Sequence, residues 1–371
     1  MDRINKIKRP DNEIFLVAKA CWDSVAKPLG SLGLLEDYIQ KIATIRKSTN
    51  VDLSNRRVVV MCADNGVTAE KVTQSDSYVT AICANAIADG TSNINKLAEV
   101  FGASVTAVDI GVERDVNSPK ILNRKIAHGT KNIAVGAAMT KEQAEKSICV
   151  GIDIMRDLKK EGVNIVVTGE MGIGNTTTSA AIASVLLDVP PRAVTGRGAG
   201  LDGAGLERKI AVIERAIAKN APSANDPIEL ISKLGGFDIG GMTGLFLGGA
   251  IYGIPVIIDG VISAVSALLA QKINPISAEY MVASHVSSEP AGRMLLEEIG
   301  LKPIINAEMR LGEGTGGIML LPLLDGALAI YKHSHKFDEI GISHAPRWDV
   351  RSPEHGRPRY FRKQSADLSG T

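Results

Sequence analysis

The stretch Asn164-Ile165-Val166-Val167-Thr168-Gly169-Glu170-Met171-Gly172-Ile173-Gly174-Asn175-Thr176-Thr177-Thr178 decides the fold of this chain. It begins with a continuous apolar, β-branched run, which is typical of a parallel strand covered on both faces. Glycines then allow a tight turn, and the asparagine and threonines open an apolar segment that predicts a helix over residues 175–187. A strand, a glycine turn and a helix in succession form the repeating unit of an α/β fold.

The same unit recurs along the chain. Further buried strands are predicted at residues 57–63, 104–111 and 255–259, with a weaker one at 278–284. Helices are predicted at residues 141–162, 206–219, 260–271 and 316–331. This alternation predicts an α/β fold with a doubly wound, mostly parallel, Rossmann-like sheet.

The two ends of the chain depart from this pattern. Residues 12–47 read as helical, so residues 1–50 are predicted to form a helical N-terminal arm or small domain. Residues 51–343 then form the α/β domain. Residues 344–371 combine prolines and arginines without an apolar period, which predicts a disordered tail. A basic arm for nucleic acid is the weaker alternative for this tail.

One uncharged segment, residues 239–258, has to be distinguished from a membrane helix. Its length and its glycines at a spacing of four are features that membrane helices share. Gly253 and Pro255 interrupt the run, and a β-branched stretch follows them. We therefore expect a buried helix and then a buried strand.

The composition argues against several function classes. The 371 residues have a net charge of +1 and only 4% aromatic residues, so neither nucleic acid nor a membrane is expected as a partner. The four cysteines include no Cys-x-x-Cys pair, which disfavours a zinc site or a disulfide framework. Reduced thiols, with no secretory signal visible in residues 1–10, predict a cytoplasmic protein.

A carboxylate between glycines is the strongest candidate for catalysis. It lies in Glu308-Met309-Arg310-Leu311-Gly312-Glu313-Gly314-Thr315-Gly316-Gly317, just before a predicted helix. Glycines on both sides let the backbone approach a ligand, so Glu313 is suited to act as a general base. The alternative is an ordinary acidic residue favoured at a helix start by the helix dipole.

The turn after the 164–170 strand is a candidate phosphate cradle. Glycine turns expose backbone N–H groups, and a helix N-terminus favours an anion. The candidate residues are Gly172, Gly174, Asn175, Thr176 and Thr177. Neither the Walker ending nor the dinucleotide fingerprint is present, and a plain capped turn is the alternative. Lys209, beyond a second glycine loop at residues 195–200, either joins the cradle or is solvated.

Acidic residues stand at the ends of three predicted strands. Asp64, Glu170 and Asp259 are expected to share a cleft, because the carboxyl ends of parallel strands meet at one edge. Carboxylates can bind Mg²⁺, but no Asp-x-Asp cluster supports this, so no metal is predicted. His285 is interpreted as a hydrogen-bonded structural residue.

Several motifs together resemble those of the nicotinate-nucleotide–dimethylbenzimidazole phosphoribosyltransferase family. The matching segments are Lys27-Pro28-Leu29-Gly30-Ser31-Leu32-Gly33, Met61-Cys62-Ala63-Asp64-Asn65-Gly66-Val67, residues 169–177, residues 235–244, Ser284-His285 and Met309-Arg310-Leu311-Gly312-Glu313-Gly314. The resemblance implies transfer of 5-phosphoribose from nicotinate mononucleotide to an aromatic lower-ligand base in cobamide synthesis, with inversion at the anomeric carbon. It implies Glu313 as the base, Glu170 as a second acid in the pocket and no cofactor.

The resemblance also implies an acceptor pocket and an oligomer. Ser75, Cys83, Met171 and Leu311 are expected to line the acceptor pocket, and Arg310 to meet the nicotinate carboxylate. The family usually has glutamine where this chain has Cys83, and proline where it has Asp76, which predicts a broadened or shifted acceptor such as another benzimidazole, a purine or a phenol. The alternative is that Cys83 faces a neighbouring helix and leaves the acceptor preference unchanged. A dimer, with itself or a related chain, is expected. The rival functions are a nicotinate mononucleotide hydrolase and a non-catalytic nucleotide sensor.

Overall fold

A single parallel sheet lies at the centre of the computed structural model, which describes residues 1–342. Its strands are β1 (Arg56–Ala63), β2 (Ala103–Gly111), β3 (Leu122–Asn123), β4 (Ile165–Met171), β5 (Val256–Ile258) and β6 (Met281–Ala283). They lie in the order β3-β2-β1-β4-β5-β6, and every neighbouring pair is parallel. This is the doubly wound Rossmann order, in which the winding direction reverses between β1 and β4. The predicted fold class is confirmed.

Helices connect the strands and cover both faces of the sheet. They are α1 (Asn12–Ser24), α2 (Leu34–Arg46), α3 (Tyr78–Asp89), α4 (Asn93–Val100), α5 (Lys141–Lys160), α6 (Asn175–Leu187), α7 (Pro191–Val194), α8 (Gly203–Asn220), α9 (Pro227–Leu234), α10 (Phe237–Tyr252), α11 (Val261–Ile273), α12 (Ala291–Ile299), α13 (Thr315–Ile318) and α14 (Leu321–His333). The predicted helix over residues 175–187 is α6, with both ends as expected. The segment 12–47 is helical, as α1 and α2.

Two predicted elements were wrong in extent. The helix predicted over residues 316–331 is split into α13 and α14, and Pro322 lies in the first turn of α14. Proline has no N–H to continue an earlier helix, so it favours a new helix start. The weak strand predicted at 278–284 is only β6, because a 3₁₀ helix at Pro275–Tyr280 takes the preceding residues.

Each face of the sheet has its own hydrophobic core, because side chains alternate along a strand. On β1, Val59 and Met61 pack with residues of α5, α10 and α11. Val58 and Val60 point to the other face and pack with residues of α2, α4 and α14. The N-terminal helices thus share a core with the strands, since Trp22 of α1 and Ile42 of α2 belong to this second cluster. The domain boundaries at residues 50 and 343 stay predictions, and the predicted tail lies outside the described residues.

The uncharged segment forms α10 and β5, as predicted for a buried helix and strand. Glycines bring α10 against α5 with almost no space between the backbones. A Cβ on Gly244 would come within 2.9 Å of the Gly151 Cα on α5. Close backbone packing therefore explains the glycine spacing. No helix within residues 1–342 is both long and apolar enough to cross a bilayer.

Candidate active site

A cavity of about 340 Å³ lies at the carboxyl ends of β4, β5 and β6. Its position, beside the point where the sheet reverses its winding, is where ligands bind in open α/β sheets. The predicted site residues that line it are Cys83, Glu170, Met171, Gly172, Asn175, Thr176, Arg310, Leu311 and Glu313. Ser75, Gly174, Thr177 and Lys209 are not among the lining residues.

The loop that holds Glu313 has an unusual backbone. Gly312, Glu313 and Gly314 have φ values of +89°, +60° and +88°. Glutamate rarely adopts this left-handed region, and such conformations cluster at functional sites. The loop also crosses β4 at close range, because a Cβ on Gly169 would lie 2.6 Å from the Glu313 carbonyl oxygen. Gly169 therefore permits the close approach that places Glu313 over the cavity.

Asp259 holds this loop in place through hydrogen bonds to its backbone. It follows β5, is only 4% exposed, and its two carboxylate oxygens accept the N–H groups of Gly317 at 2.7 Å and Gly314 at 3.2 Å. The predicted role as part of an acidic cleft is therefore combined with an anchoring role. Burial raises the pKa of Asp259, although the nearby His285 and these N–H donors act in the opposite direction.

One oxygen of Glu313 is buried and has no hydrogen-bond partner among residues 1–342. Burial raises the pKa of this carboxyl group, the backbone N–H of Ile94 at the start of α4 lowers it, and Asp259 raises it again. An unpartnered buried oxygen is costly unless a ligand pairs with it. A raised pKa also makes the carboxylate a stronger base. These features favour a general base over an ordinary helix-start residue.

Glu170 belongs to a buried network at the end of β4. The Asn175 amide donates to Glu170 Oε2 and, at 3.1 Å, to Asp238 Oδ2 on α10. Burial raises the pKa of Glu170 well above its ordinary value, and it raises that of Asp238 to about 6. The Asn175 side chain is thus held by two carboxyl groups, while the residue still lines the cavity.

The predicted cradle brings Thr176 and Lys209 together. Lys209, on α8, is only 1% exposed, and its Nζ donates to Thr176 Oγ1 at 2.9 Å and to the Gly196 carbonyl at 3.2 Å. The alternative of a solvated Lys209 was therefore wrong. Gly174 provides the left-handed residue before α6, with φ of +95°. The Thr177 hydroxyl is buried without a partner within residues 1–342 and lies outside the cavity lining.

The predicted acceptor residues lie on α3, on β4 and on the loop that holds Glu313. Cys83 is on α3 and half-buried, and Met171 ends β4. Leu311, on the loop that holds Glu313, is 55% exposed although it lines the cavity, so this part of the wall faces solvent. Ser75 lies before α3 and is apart from the lining.

The expected shared acidic cleft is only partly formed. Glu170 and Asp259 line the cavity, whereas Asp64 accepts the Glu113 N–H at 2.8 Å and does not. His285 lines the cavity and is only 3% exposed, and its Nδ1 lies 3.1 Å from Ser284 Oγ. In the described part of the chain, no three acidic, histidine or cysteine side chains are arranged to hold a metal ion.

Comparisons with a family model and with known proteins point to the same family. A family model described as a phosphoribosyltransferase matches residues 7–342. The nicotinate-nucleotide–dimethylbenzimidazole phosphoribosyltransferase of Clostridium acetobutylicum is 43% identical over 339 residues, which are 91% of this chain and 96% of that one. The like-named protein of Acetivibrio thermocellus is 44% identical, over 86% of this chain and 91% of that one. The chain belongs to the nicotinate-nucleotide–dimethylbenzimidazole phosphoribosyltransferase family.

Solved structures of this phosphoribosyltransferase family have the same fold. The crystal structure of CobT from Thermus thermophilus has a TM-score of 0.85 at 37% identity and covers 90% of this chain and 100% of that one. A crystal structure of the nicotinate-nucleotide–dimethylbenzimidazole phosphoribosyltransferase from the same organism has a TM-score of 0.84 at 36% identity, with the same coverage of both chains. The resemblance stated from the motifs is confirmed.

Two residues at this candidate site were not predicted from the sequence. Asp238, which accepts a hydrogen bond from Asn175, lies in a glycine-rich segment that carries no separate signal for a binding residue. Glu289 lines the cavity and accepts the Gly198 N–H at 3.1 Å. Its segment, Ser287-Ser288-Glu289-Pro290, has no recognisable binding pattern. Only the tertiary structure assembles these contacts.

Proposed function

We propose that this chain transfers the 5-phosphoribosyl group of nicotinate mononucleotide to an aromatic nitrogen base, giving an α-ribosyl 5′-phosphate and nicotinate for cobamide assembly. The observation that carries the proposal is the buried, unpartnered Glu313 oxygen beside the cavity. The names of the relatives support the two substrates.

The proposed reaction needs one base and no general acid. A ring nitrogen of the acceptor attacks the anomeric carbon, the bond from this carbon to the pyridinium nitrogen breaks, and its electron pair returns to the nicotinate ring. The leaving ring thereby becomes neutral, so it takes no proton. Glu313 removes the proton from the second nitrogen of the acceptor, a role typically worth about 10²- to 10⁴-fold in rate.

The remaining site residues stabilise the charge that develops on the sugar and hold the substrate in position. As the sugar develops positive charge, the Glu170 carboxylate stabilises it electrostatically, and this positive charge opposes the burial that raises the pKa of Glu170. Gly172, Gly174, Asn175, Thr176 and Thr177 form the phosphate cradle, with Lys209 supplying the positive charge next to Thr176. Arg310, exposed at the cavity wall, meets the nicotinate carboxylate.

An assay of products distinguishes this reaction from its rivals. Nicotinate mononucleotide is incubated with the protein, with and without dimethylbenzimidazole, and the products are separated by chromatography. A transferase forms the ribosylated base and releases nicotinate only when the acceptor is present. Ribose 5-phosphate formed without acceptor would indicate the hydrolase, and no product in either mixture would indicate the sensor.

Cys83 supports a proposal about acceptor choice. A thiol forms weaker hydrogen bonds than an amide, so Cys83 on α3 selects only weakly for a polar group on the acceptor base. We expect benzimidazoles, a purine and a phenol to compete within about tenfold of one another, a spread of about 1.4 kcal/mol. Cys83→Gln should restrict the acceptors and so widen the differences in affinity among them, with Cys149→Gln, on α5, as the control. Strict preference of the unaltered protein for dimethylbenzimidazole would reject the proposal.

The assembly and its location are also proposals. Tyr78 and Ile82, one turn apart on α3, are 44% and 59% exposed, which supports a contact with a second copy or a related chain. Light scattering of the purified protein measures its mass, and a monomer at all concentrations would exclude the homodimer. The four free cysteines support placement in the reducing cytoplasm. Fluorescence of a tagged copy in cells tests that placement.

A further inference from the structure

A carboxylate of this chain lies in a backbone cradle beside the proposed phosphate site. The loop after α7 contains Gly198 and Gly200 with φ of +55° and +120°. Backbone turns with left-handed residues form concave sites whose N–H groups bind anions. Here the Gly198 N–H donates to Glu289 Oε1 at 3.1 Å. The cradle is therefore filled by an anion from the protein itself.

The fit between this loop and Glu289 is close. A Cβ on Gly196 would lie 2.6 Å from the Glu289 carboxyl carbon, so a larger residue there would displace the carboxylate from its present position. Glu289 comes just before α12 and is half-buried. It also lines the same cavity as Thr176 and Glu313. The carboxylate thus stands between the loop and the space proposed for the substrate.

Lys209, on the other side of this loop, has no acidic hydrogen-bond partner among residues 1–342. Its two hydrogen-bond acceptors, Thr176 Oγ1 and the Gly196 carbonyl, are neutral. An ammonium group has three donors, and a buried charge is stable only when it is paired. Burial lowers the pKa of Lys209 to about 8, while the more distant Glu289 raises it. A Cβ on Gly198 would lie 3.5 Å from Lys209 Nζ, so the cradle and the ammonium group are neighbours.

We propose that Glu289 is an intramolecular stand-in for the phosphate of the substrate. Its carboxylate holds the Gly198 cradle until a dianionic phosphate displaces it and pairs directly with Lys209. The inference rests on the proposed function. It predicts selection for the phosphorylated nucleotide, because the corresponding nucleoside lacks the phosphate that would replace the Glu289 carboxylate.

The test is calorimetric titration at about pH 7, where Lys209, with its pKa of about 8, stays mostly protonated. Inorganic phosphate and nicotinate mononucleotide are titrated into the unaltered protein, Glu289→Gln and the control Glu297→Gln. Glu297 is an exposed acid on α12, outside this cavity. Loss of one like charge beside a dianion should tighten both ligands about tenfold in Glu289→Gln and leave the control unchanged. Equal or weaker binding in Glu289→Gln would overturn the proposal.

Hydrogen exchange on the unaltered protein gives a second test that does not depend on a variant. Saturating phosphate should slow exchange in residues 196–200 and accelerate it in residues 287–292, because the displaced carboxylate frees its own segment. Slowing in both segments, or a change in neither, would contradict displacement. If transfer products are absent but phosphate still binds more tightly to Glu289→Gln, the proposed function fails and the stand-in role survives.

Discussion

At the residue scale, the proposed chemistry depends on a strained position that carries an unsatisfied carboxylate. Glu313 has φ of +60°, and its Oε2 is buried without a partner within residues 1–342. Backbone strain and an unpaired acceptor both cost free energy of folding, so they persist only where packing and hydrogen bonds hold them. Asp259 supplies that support through its hydrogen bonds to Gly314 and Gly317.

Replacing the proposed base should separate catalysis from binding. Glu313→Gln keeps the shape of the side chain but removes its ability to accept a proton, so turnover should fall about 10²- to 10⁴-fold. The affinity for nicotinate mononucleotide should change little, because the proposed phosphate cradle includes Thr176 on α6 and Lys209 on α8, apart from Glu313. Steady-state rates and calorimetry measure the two quantities.

The control for this variant is Glu308→Gln, a second acid in the same loop. Glu308 is exposed and also has a positive φ, of +52°, but it does not line the cavity. Its turnover should equal that of the unaltered protein. A Glu313→Gln enzyme with unimpaired turnover would remove the assigned role.

At the element scale, the contact between α5 and α10 supports the core on one face of the sheet. Gly151 and Gly244 face each other there, and a Cβ on either would run into backbone atoms of the opposite helix. Helices packed this closely have no room for added methyl groups. The glycines that resemble a membrane pattern therefore serve packing inside a sheet protein.

A methyl group at this contact should destabilise the fold. Gly244→Ala is expected to lower the free energy of unfolding by about 1–3 kcal/mol, the usual cost of overpacking a core. Urea denaturation followed by circular dichroism measures the change. Gly326→Ala on α14 is the matched control, since nothing lies within 4 Å of its added Cβ, and it should gain up to about 1 kcal/mol from helix propensity. Equal stability of the two variants would contradict the packing argument.

At the scale of the whole molecule, buried acids near the cavity link stability to pH. Burial raises the pKa of both Asp64 and Asp238 from 3.8 to about 6. Between about pH 3.8 and pH 6, the folded state binds more protons than the unfolded state. These groups therefore stabilise the fold at low pH, and this stabilisation is lost as pH rises through 6. The loss for Asp238 is on the order of 3 kcal/mol, at 1.36 kcal/mol for each unit of pKa.

The effect is measurable by thermal unfolding without ligand. Asp238→Asn should flatten the decline in stability between about pH 4 and 6, because the amide does not titrate. Asp226→Asn is the control. The backbone hydrogen bond from Glu229 lowers the pKa of Asp226, so its contribution is lost as pH falls instead. An unchanged slope in Asp238→Asn would show that this group does not carry the dependence.

The sequence alone predicted the class of fold and part of the site. Strand and helix periods are local, so β1, β4 and α6 could be read directly, and the glycines around Glu313 marked its loop. Lys209 was left between two interpretations, since a lysine after a glycine loop carries no sign of its burial. The predicted length of β6 and the predicted single helix over residues 316–331 were wrong, because neighbouring turns override weak local patterns.

Only the tertiary structure decided which residues meet. The strand order β3-β2-β1-β4-β5-β6 brings Asp259 to Gly314, 55 residues later, and Asn175 to Asp238, 63 residues later. It also brings the Glu289 carboxylate to the N–H of Gly198, which lies 91 residues earlier in the chain. Local propensity carries no information about such distant pairs, because their contact depends on how the sheet is wound and how tightly its glycines let the layers approach.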